Sequence, residues 1–116
     1  MSPREQRKYI RLESLNLLDY LIIDKGGMQT THSMGRTLDI SENGLKLETS
    51  AEVAMGDTLL ITIGLEDDLI DLVADVTYVE TAGDRYHSGV EFVDISEEGR
   101  RIFNKYTDAF LERFST

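Results

Sequence analysis

The sequence predicts a small antiparallel β-barrel closed by one C-terminal helix. Three observations carry that prediction. Six short runs follow one another with apolar residues at period two, each bounded by turn-forming residues. At Ser96 the period lengthens to that of a helix and holds to the end of the sequence. No run approaches the ~20 apolar residues that a membrane span needs. With 116 residues, two separate cores would each be too small to be stable, so one domain is expected. Its parts are a basic N-terminal arm over 1–12, a barrel over 13–95 and a helix over 96–116.

Residues 1–12 lack apolar periodicity and contain the only proline, Pro3, which reads as an arm that is flexible unless something pins it. Leu15–Ile23 is the first strand. It follows a basic segment as a signal peptide would, but Asn16, Asp19 and Tyr20 interrupt it and no small-residue cleavage site follows. Asp24-Lys25-Gly26-Gly27 turns the chain. The second strand, Gly35–Ser41, stops at Glu42-Asn43-Gly44. Leu38 and Ile40 are expected to point inward there, with Asp39 and Ser41 outward. Asn43-Gly44 is expected to supply the positive φ values of a tight turn.

Leu45–Thr49 forms the third strand, with Leu45 and Leu47 opposite Lys46 and Glu48. After Met55-Gly56-Asp57, the fourth strand over 57–65 sets Leu59, Ile61, Ile63 and Leu65 on one face. The fifth is the longest and places Ile70, Leu72, Ala74, Val76 and Tyr78 on its inner face. Thr81-Ala82-Gly83-Asp84 leads to the sixth, Tyr86–Asp94, where Val90 and Phe92 share a side. Ser96 is a helix N-cap, followed by Glu97 and Glu98 where the helix dipole favours carboxylates. Phe103, Tyr106, Phe110 and Phe114 then make one aromatic stripe, read as packing against the barrel. Gly99 weakens the helix start by about 1 kcal/mol relative to alanine, so fraying is expected there.

Composition excludes several functions. Without cysteine there is no disulfide and no thiolate metal site, and the two histidines, His32 and His87, lie in separate segments. Glu66-Asp67-Asp68 with Asp71 lacks the spacing of an EF-hand. No phosphate-binding glycine loop and no nucleophile elbow are present, so no enzyme is expected. The net charge of −10 is unevenly spread: residues 1–11 carry +3 and the remaining 105 residues carry −13. Such a body repels the backbone of DNA or RNA, while the basic arm can still hold a small anion or fold back on the acidic body.

Two segments carry recognition chemistry. In Asp39-Ile40-Ser41-Glu42-Asn43-Gly44 a carboxylate and a hydroxyl stand side by side at a strand end. The carboxylate can accept from the N1–H and N2–H₂ groups of a guanine, and the hydroxyl can bond a phosphate or a base edge. Taken alone, the segment reads more simply as a hairpin in which Asp39 makes a local bond. In Arg7-Lys8-Tyr9-Ile10-Arg11, two guanidiniums four residues apart can converge on one ligand, and arginine suits both guanine and phosphate. Taken alone, it is a solvated tail.

Together, in this order and followed by Gly89-Val90-Glu91-Phe92-Val93-Asp94 leading into a helix, the segments resemble the PilZ domain family over nearly the whole chain. The resemblance implies a six-stranded split barrel that binds cyclic di-GMP. Arg7 and Arg11 would take guanine edges and phosphate, Asp39 and Ser41 a guanine, and Gly44 would hold the turn open. Gln6, Lys8, Asn43 and Gly89 are further candidates for the site. Many relatives carry arginine where this chain has Gln6, a position that bears on whether one nucleotide or a stacked pair binds. One is expected here, with Arg4 as a partial substitute.

The function expected from these readings is a cytoplasmic, monomeric cyclic di-GMP receptor whose arm is ordered by the ligand. It would signal by contact with an unidentified effector protein, without a cofactor, a metal, a nucleic-acid polymer or membrane insertion. The alternative is a PilZ-like adaptor that binds no nucleotide. An oligonucleotide-binding barrel fits the strand count but conflicts with the acidic body and lacks an aromatic platform.

Overall fold

A computed structural model describes residues 17–65 and 67–114. The expected arm, with Gln6, Arg7, Lys8 and Arg11, lies outside the described residues, as do the side chains of Leu65, Arg113 and Phe114. Among the described residues, six antiparallel strands close into a barrel: β1 (Leu17–Ile23), β2 (Gln29–Ser41), β3 (Gly44–Thr49), β4 (Thr58–Leu65), β5 (Asp68–Ala82) and β6 (Arg85–Asp94). One helix follows, α1 (Glu97–Phe114). The order around the barrel is β1-β2-β3-β6-β5-β4, so the link from β3 to β4 crosses one end rather than forming a hairpin.

The period-two pattern builds the core as expected on β1, β3 and β4. Leu18, Tyr20 and Ile22, then Leu45 and Leu47, then Leu59, Ile61 and Ile63 are all buried. Burial of a large aliphatic side chain stabilises by about 1.5–3 kcal/mol, and this repeated row is the main source of stability. Asp24 ties the β1–β2 turn, its Oδ1 accepting from the amides of Gly26 (2.9 Å) and Met28 (3.0 Å), and Gly27 supplies the left-handed residue at φ 85°. β2 therefore begins at Gln29, six residues earlier than the pattern of its own apolar residues suggests. Pairing with β1 carries it through Gln29, Thr31 and His32, with Thr30 left extra at a bulge.

Two expectations about facing are overturned by bulges. On β2, Thr37 pairs with Leu47 and Asp39 with Lys46, which leaves Leu38 as an extra residue. Thr37 takes the inward position and is buried, while Leu38 is half-buried and outside the core; Ile40 does pack against the core. On β5, Val76 pairs with Val90 and Tyr78 with Gly89, leaving Thr77 extra. Tyr78 thereby leaves the inner face and is 40% exposed, and Val79 packs inward instead.

The helix seals the barrel. Ser96 Oγ accepts from the Gly99 amide at 2.9 Å, a cap of the kind that contributes about 1 kcal/mol. Ile102, Phe103, Tyr106 and Phe110 are buried, and Phe103 meets Phe92 edge-on at 4.9 Å between ring centroids. Gly99 serves close packing: a Cβ there would stand 3.0 Å from Ile95 Cγ1 and from Ser96 Oγ. Deep inside, the Tyr106 hydroxyl donates to Thr37 Oγ1 at 3.0 Å, which explains why a threonine takes the inward place on β2.

Candidate functional site

The ends of β2 and β3, with the middles of β5 and β6, form an open groove of about 610 Å³ on the outer wall of the barrel. Strand register lays out its floor. One cross-strand row runs Asp39, Lys46, Gly89, Tyr78, and the next runs Ser41, Gly44, Glu91. Asp39 and Ser41 are both exposed and two residues apart beyond the Leu38 bulge, so they stand side by side on this face. Asp39 Oδ1 accepts from the Ile40 amide at 2.9 Å, the local bond expected of a simple hairpin. Its second oxygen has no hydrogen-bond partner among the described residues.

The two glycines in the floor are required by close approach. Gly44 does not have the positive φ expected from the Asn43-Gly44 pair. A Cβ on Gly44 would instead lie 2.3 Å from the Val90 carbonyl oxygen and 3.4 Å from Ser41 Oγ. At Gly89 a Cβ would lie 2.5 Å from Tyr78 Cε1 and 2.6 Å from Cδ1, so the tyrosine ring occupies the space a side chain would take. Thr77 Oγ1 donates to the Gly89 carbonyl at 3.1 Å and fixes the bulge beside it. Gly44 and Gly89 thus add no side chain to the floor, and the Tyr78 ring lies over Gly89.

The turn at the groove's rim is held from behind. Arg100 on α1 donates to the Glu42 carbonyl at 3.0 Å and to Asn43 Oδ1 at 3.3 Å, with its guanidinium 5.8 Å from the Phe92 ring centroid. The Phe92 amide donates to the Asn43 carbonyl at 2.8 Å. Asn43 is thus bonded to both α1 and β6. Asp39, Glu42 and Glu91 bring negative charge to the groove, and Lys46 is the cation among its lining residues. This arrangement offers donors and acceptors to a hydrogen-bonding ligand. Among the described residues, no cluster of His, Asp and Glu is arranged to hold a metal. No helix among them is long and apolar enough to cross a membrane.

Of the sequence-derived candidates, Asp39, Ser41, Asn43, Gly44 and Gly89 come together in this groove. Lys46, Tyr78 and Arg100 were not singled out. Lys46 was legible as the outward residue between Leu45 and Leu47. Tyr78 was hidden by the Thr77 bulge, and Arg100 sits on the helix with no local signal tying it to residues 42 and 43.

Comparison with known proteins agrees with this architecture. The family model of the PilZ domain matches residues 5–109. Among solved structures, the chain is similar to the Bacillus subtilis inhibitor of motility (MotI/DgrA). The TM-score is 0.64 at 15% identity, over 86% of this chain and 49% of that one. It is also similar to MrkH of K. pneumonia in its apo state, with a TM-score of 0.56 at 15% identity, over 84% of this chain and 47% of that one. The chain spans about half the length of each of these structures. No curated protein sequence is a significant match. Matched over most of its length, with the closed barrel, terminal helix and strand-end motif in place, the chain belongs to the PilZ family of cyclic di-GMP receptor domains.

Proposed function

We propose that this chain is a receptor for cyclic di-GMP, with the nucleotide seated in the groove over Asp39, Ser41, Gly44 and Gly89. The observation that carries the reading is the outward Asp39–Ser41 pair beside Gly44, which adds no side chain, and the Tyr78 ring laid over Gly89. A carboxylate facing a guanine accepts from N1–H and N2–H₂ together, a pairing that adenine does not offer. The half-exposed Tyr78 ring supports stacking of a base, worth about 1–3 kcal/mol per base in comparable sites. Lys46 stands in the same row to meet a phosphate.

Arg7 and Arg11 complete the site from the arm, where guanidiniums grip both guanine and phosphate. Ligand orders the arm over the groove, and ordering costs about 1–2 kcal/mol per residue in backbone entropy. Charge-assisted bonds and stacking offset that cost. The newly shaped surface then engages an effector protein, since the described barrel carries no catalytic set. In this reading the protein is a cytoplasmic monomer without catalytic activity and binds one nucleotide, in keeping with Gln6.

Isothermal titration calorimetry with cyclic di-GMP, and GMP as control, tests this. Saturable binding to the dinucleotide alone is expected, and Arg11→Ala is expected to weaken it at least about tenfold. Absence of heat at two temperatures from folded protein would replace the receptor with a protein-contact adaptor.

A further inference from the structure

A second, larger groove of about 970 Å³ lies on a different part of the barrel wall, against β1, β4, β5 and the start of α1. It shares no lining residue with the groove of the nucleotide motif. Its centre is an apolar row across three strands. Leu21 pairs with Leu60, and Leu60 with Val73. All three alternate with core residues and so face outward, and Leu60 remains 36% exposed. Leu69, at the start of β5, lines the same groove and is 73% exposed.

Carboxylates rim this apolar row. Asp19, Asp71, Asp94 and Glu98 line the groove, and among the described residues no lysine or arginine does. Arg101 pairs with Glu98, His32 lies 2.8 Å from Asp19, and Thr62 donates to Asp71 at 2.7 Å. Asp71 thus gains a hydrogen bond but, among the described residues, no cation. An apolar strip bordered by negative charge is complementary to a segment with apolar side chains flanked by lysine or arginine. It is the opposite of what an anionic nucleotide requires.

We infer that this face is a docking surface for a basic amphipathic segment of a partner protein, its apolar side chains covering Leu21, Leu60 and Val73 and its cations meeting Asp19 and Asp71. The surface stands independently of nucleotide binding, and its test uses no nucleotide.

The test maps the backbone amides of the full chain by NMR during titration with a synthetic helical peptide of leucine and lysine. A peptide with the same leucine spacing and glutamate for lysine is the control. Saturable shifts centred on residues 19–21, 60–62 and 71–73 are expected with the lysine peptide, and none with the glutamate peptide. Leu60→Ser and the pair Asp19→Asn with Asp71→Asn are each expected to weaken binding between about threefold and tenfold. Both variants change outward side chains, and their amide dispersion verifies the fold.

Shifts spread over the whole acidic surface, equal binding of the two peptides, or no effect of Leu60→Ser would overturn the inference. So would sedimentation showing a dimer that Leu60→Ser dissolves, because the occupant would then be a second copy. Deletion of residues 1–12 provides the last check. If it shifts these amides without peptide present, the chain's own arm covers the face and the inference fails.

Discussion

The two grooves lie on one barrel wall, yet bulges shape their surfaces to different degrees. β4 pairs with β1 and with β5 in unbroken register, so side chains alternate without interruption across the middle of the larger groove, and the irregularities that border it, at Thr30 between β1 and β2 and at Val93 between β6 and β5, lie outside its apolar row. The wall under the Asp39–Gly44 segment is bordered by two bulges, at Leu38 and at Thr77, with the in-register pairing of β3 and β6 between them. Each bulge changes which residues face outward. One brings Asp39 and Ser41 onto the surface beyond an inward Thr37; the other turns Tyr78 out of the core and lays it across Gly89. Where the groove's central residues stay in register the surface keeps the strands' own alternation, and where a bulge adjoins the groove it selects which side chains are presented.

The irregular wall can be broken at its tightest contact. A Cβ at residue 44 would meet the Val90 carbonyl oxygen at 2.3 Å, and both partners belong to paired strands that cannot swing aside. Gly44→Val is expected to cost about 2–4 kcal/mol, read as a lowered urea midpoint with an unchanged slope. The equivalent test on the regular wall, Leu60→Ser, should leave the midpoint within about 1 kcal/mol of the parent. If the two variants proved equally costly, the distinction between the walls would fail.

A middle-sized effect separates binding from stability. Tyr78 is half-exposed and lies over Gly89 rather than in the core. Tyr78→Ala is expected to weaken cyclic di-GMP binding about tenfold, as loss of a stacking ring does elsewhere, with a smaller loss of stability. A calorimetric affinity equal to the parent's would remove Tyr78 from the site. Loss of folding would show that the ring supports the barrel after all.

The fold was legible wherever the pattern and the register coincide. Leu59, Ile61 and Ile63 alternate in sequence and are all buried, and Phe103, Tyr106 and Phe110 repeat at helical spacing and seal the end. Legibility failed at Leu38 and Tyr78 because a bulge adds a residue without leaving a local signal; it exists only relative to the partner strand. Gly44 was legible as a required glycine but for the wrong reason, since its need comes from Val90, distant in sequence. Arg100 escaped for the same cause: Glu42 and Asn43, which it holds, are nearly sixty residues away.

The buried link between the bulge and the helix offers a subtler test. Burial raises the Tyr106 hydroxyl to about 12, partly countered by its bond with Thr37. The folded protein therefore holds the proton more tightly than the unfolded chain, whose tyrosines titrate near 10. Stability is fully present below about 10 and declines as pH rises from there through about 12. Thr37→Val removes the acceptor and leaves a buried hydroxyl unpaired, at about 1–2 kcal/mol. Urea midpoints at neutral and alkaline pH check both statements.

The smallest expected effect lies on the outer face of β2, β3 and β6, where Glu48 sits between Arg36 (3.2 Å) and His87 (3.0 Å). The hydrogen bond with His87 is the largest influence holding its carboxyl below the usual value of 4.5; partial burial opposes it and Arg36 supports it. Because the folded value is depressed, the stabilisation is present above the unfolded value and is lost as pH falls through the folded one. Glu48→Gln removes the titration. The difference between parent and variant midpoints should be constant above about pH 5 and shrink as the solution is acidified, from less than about 1 kcal/mol. A difference that grew on acidification would mean that the folded state raises this carboxyl, and that the Arg36–Glu48–His87 row opposes the barrel it crosses.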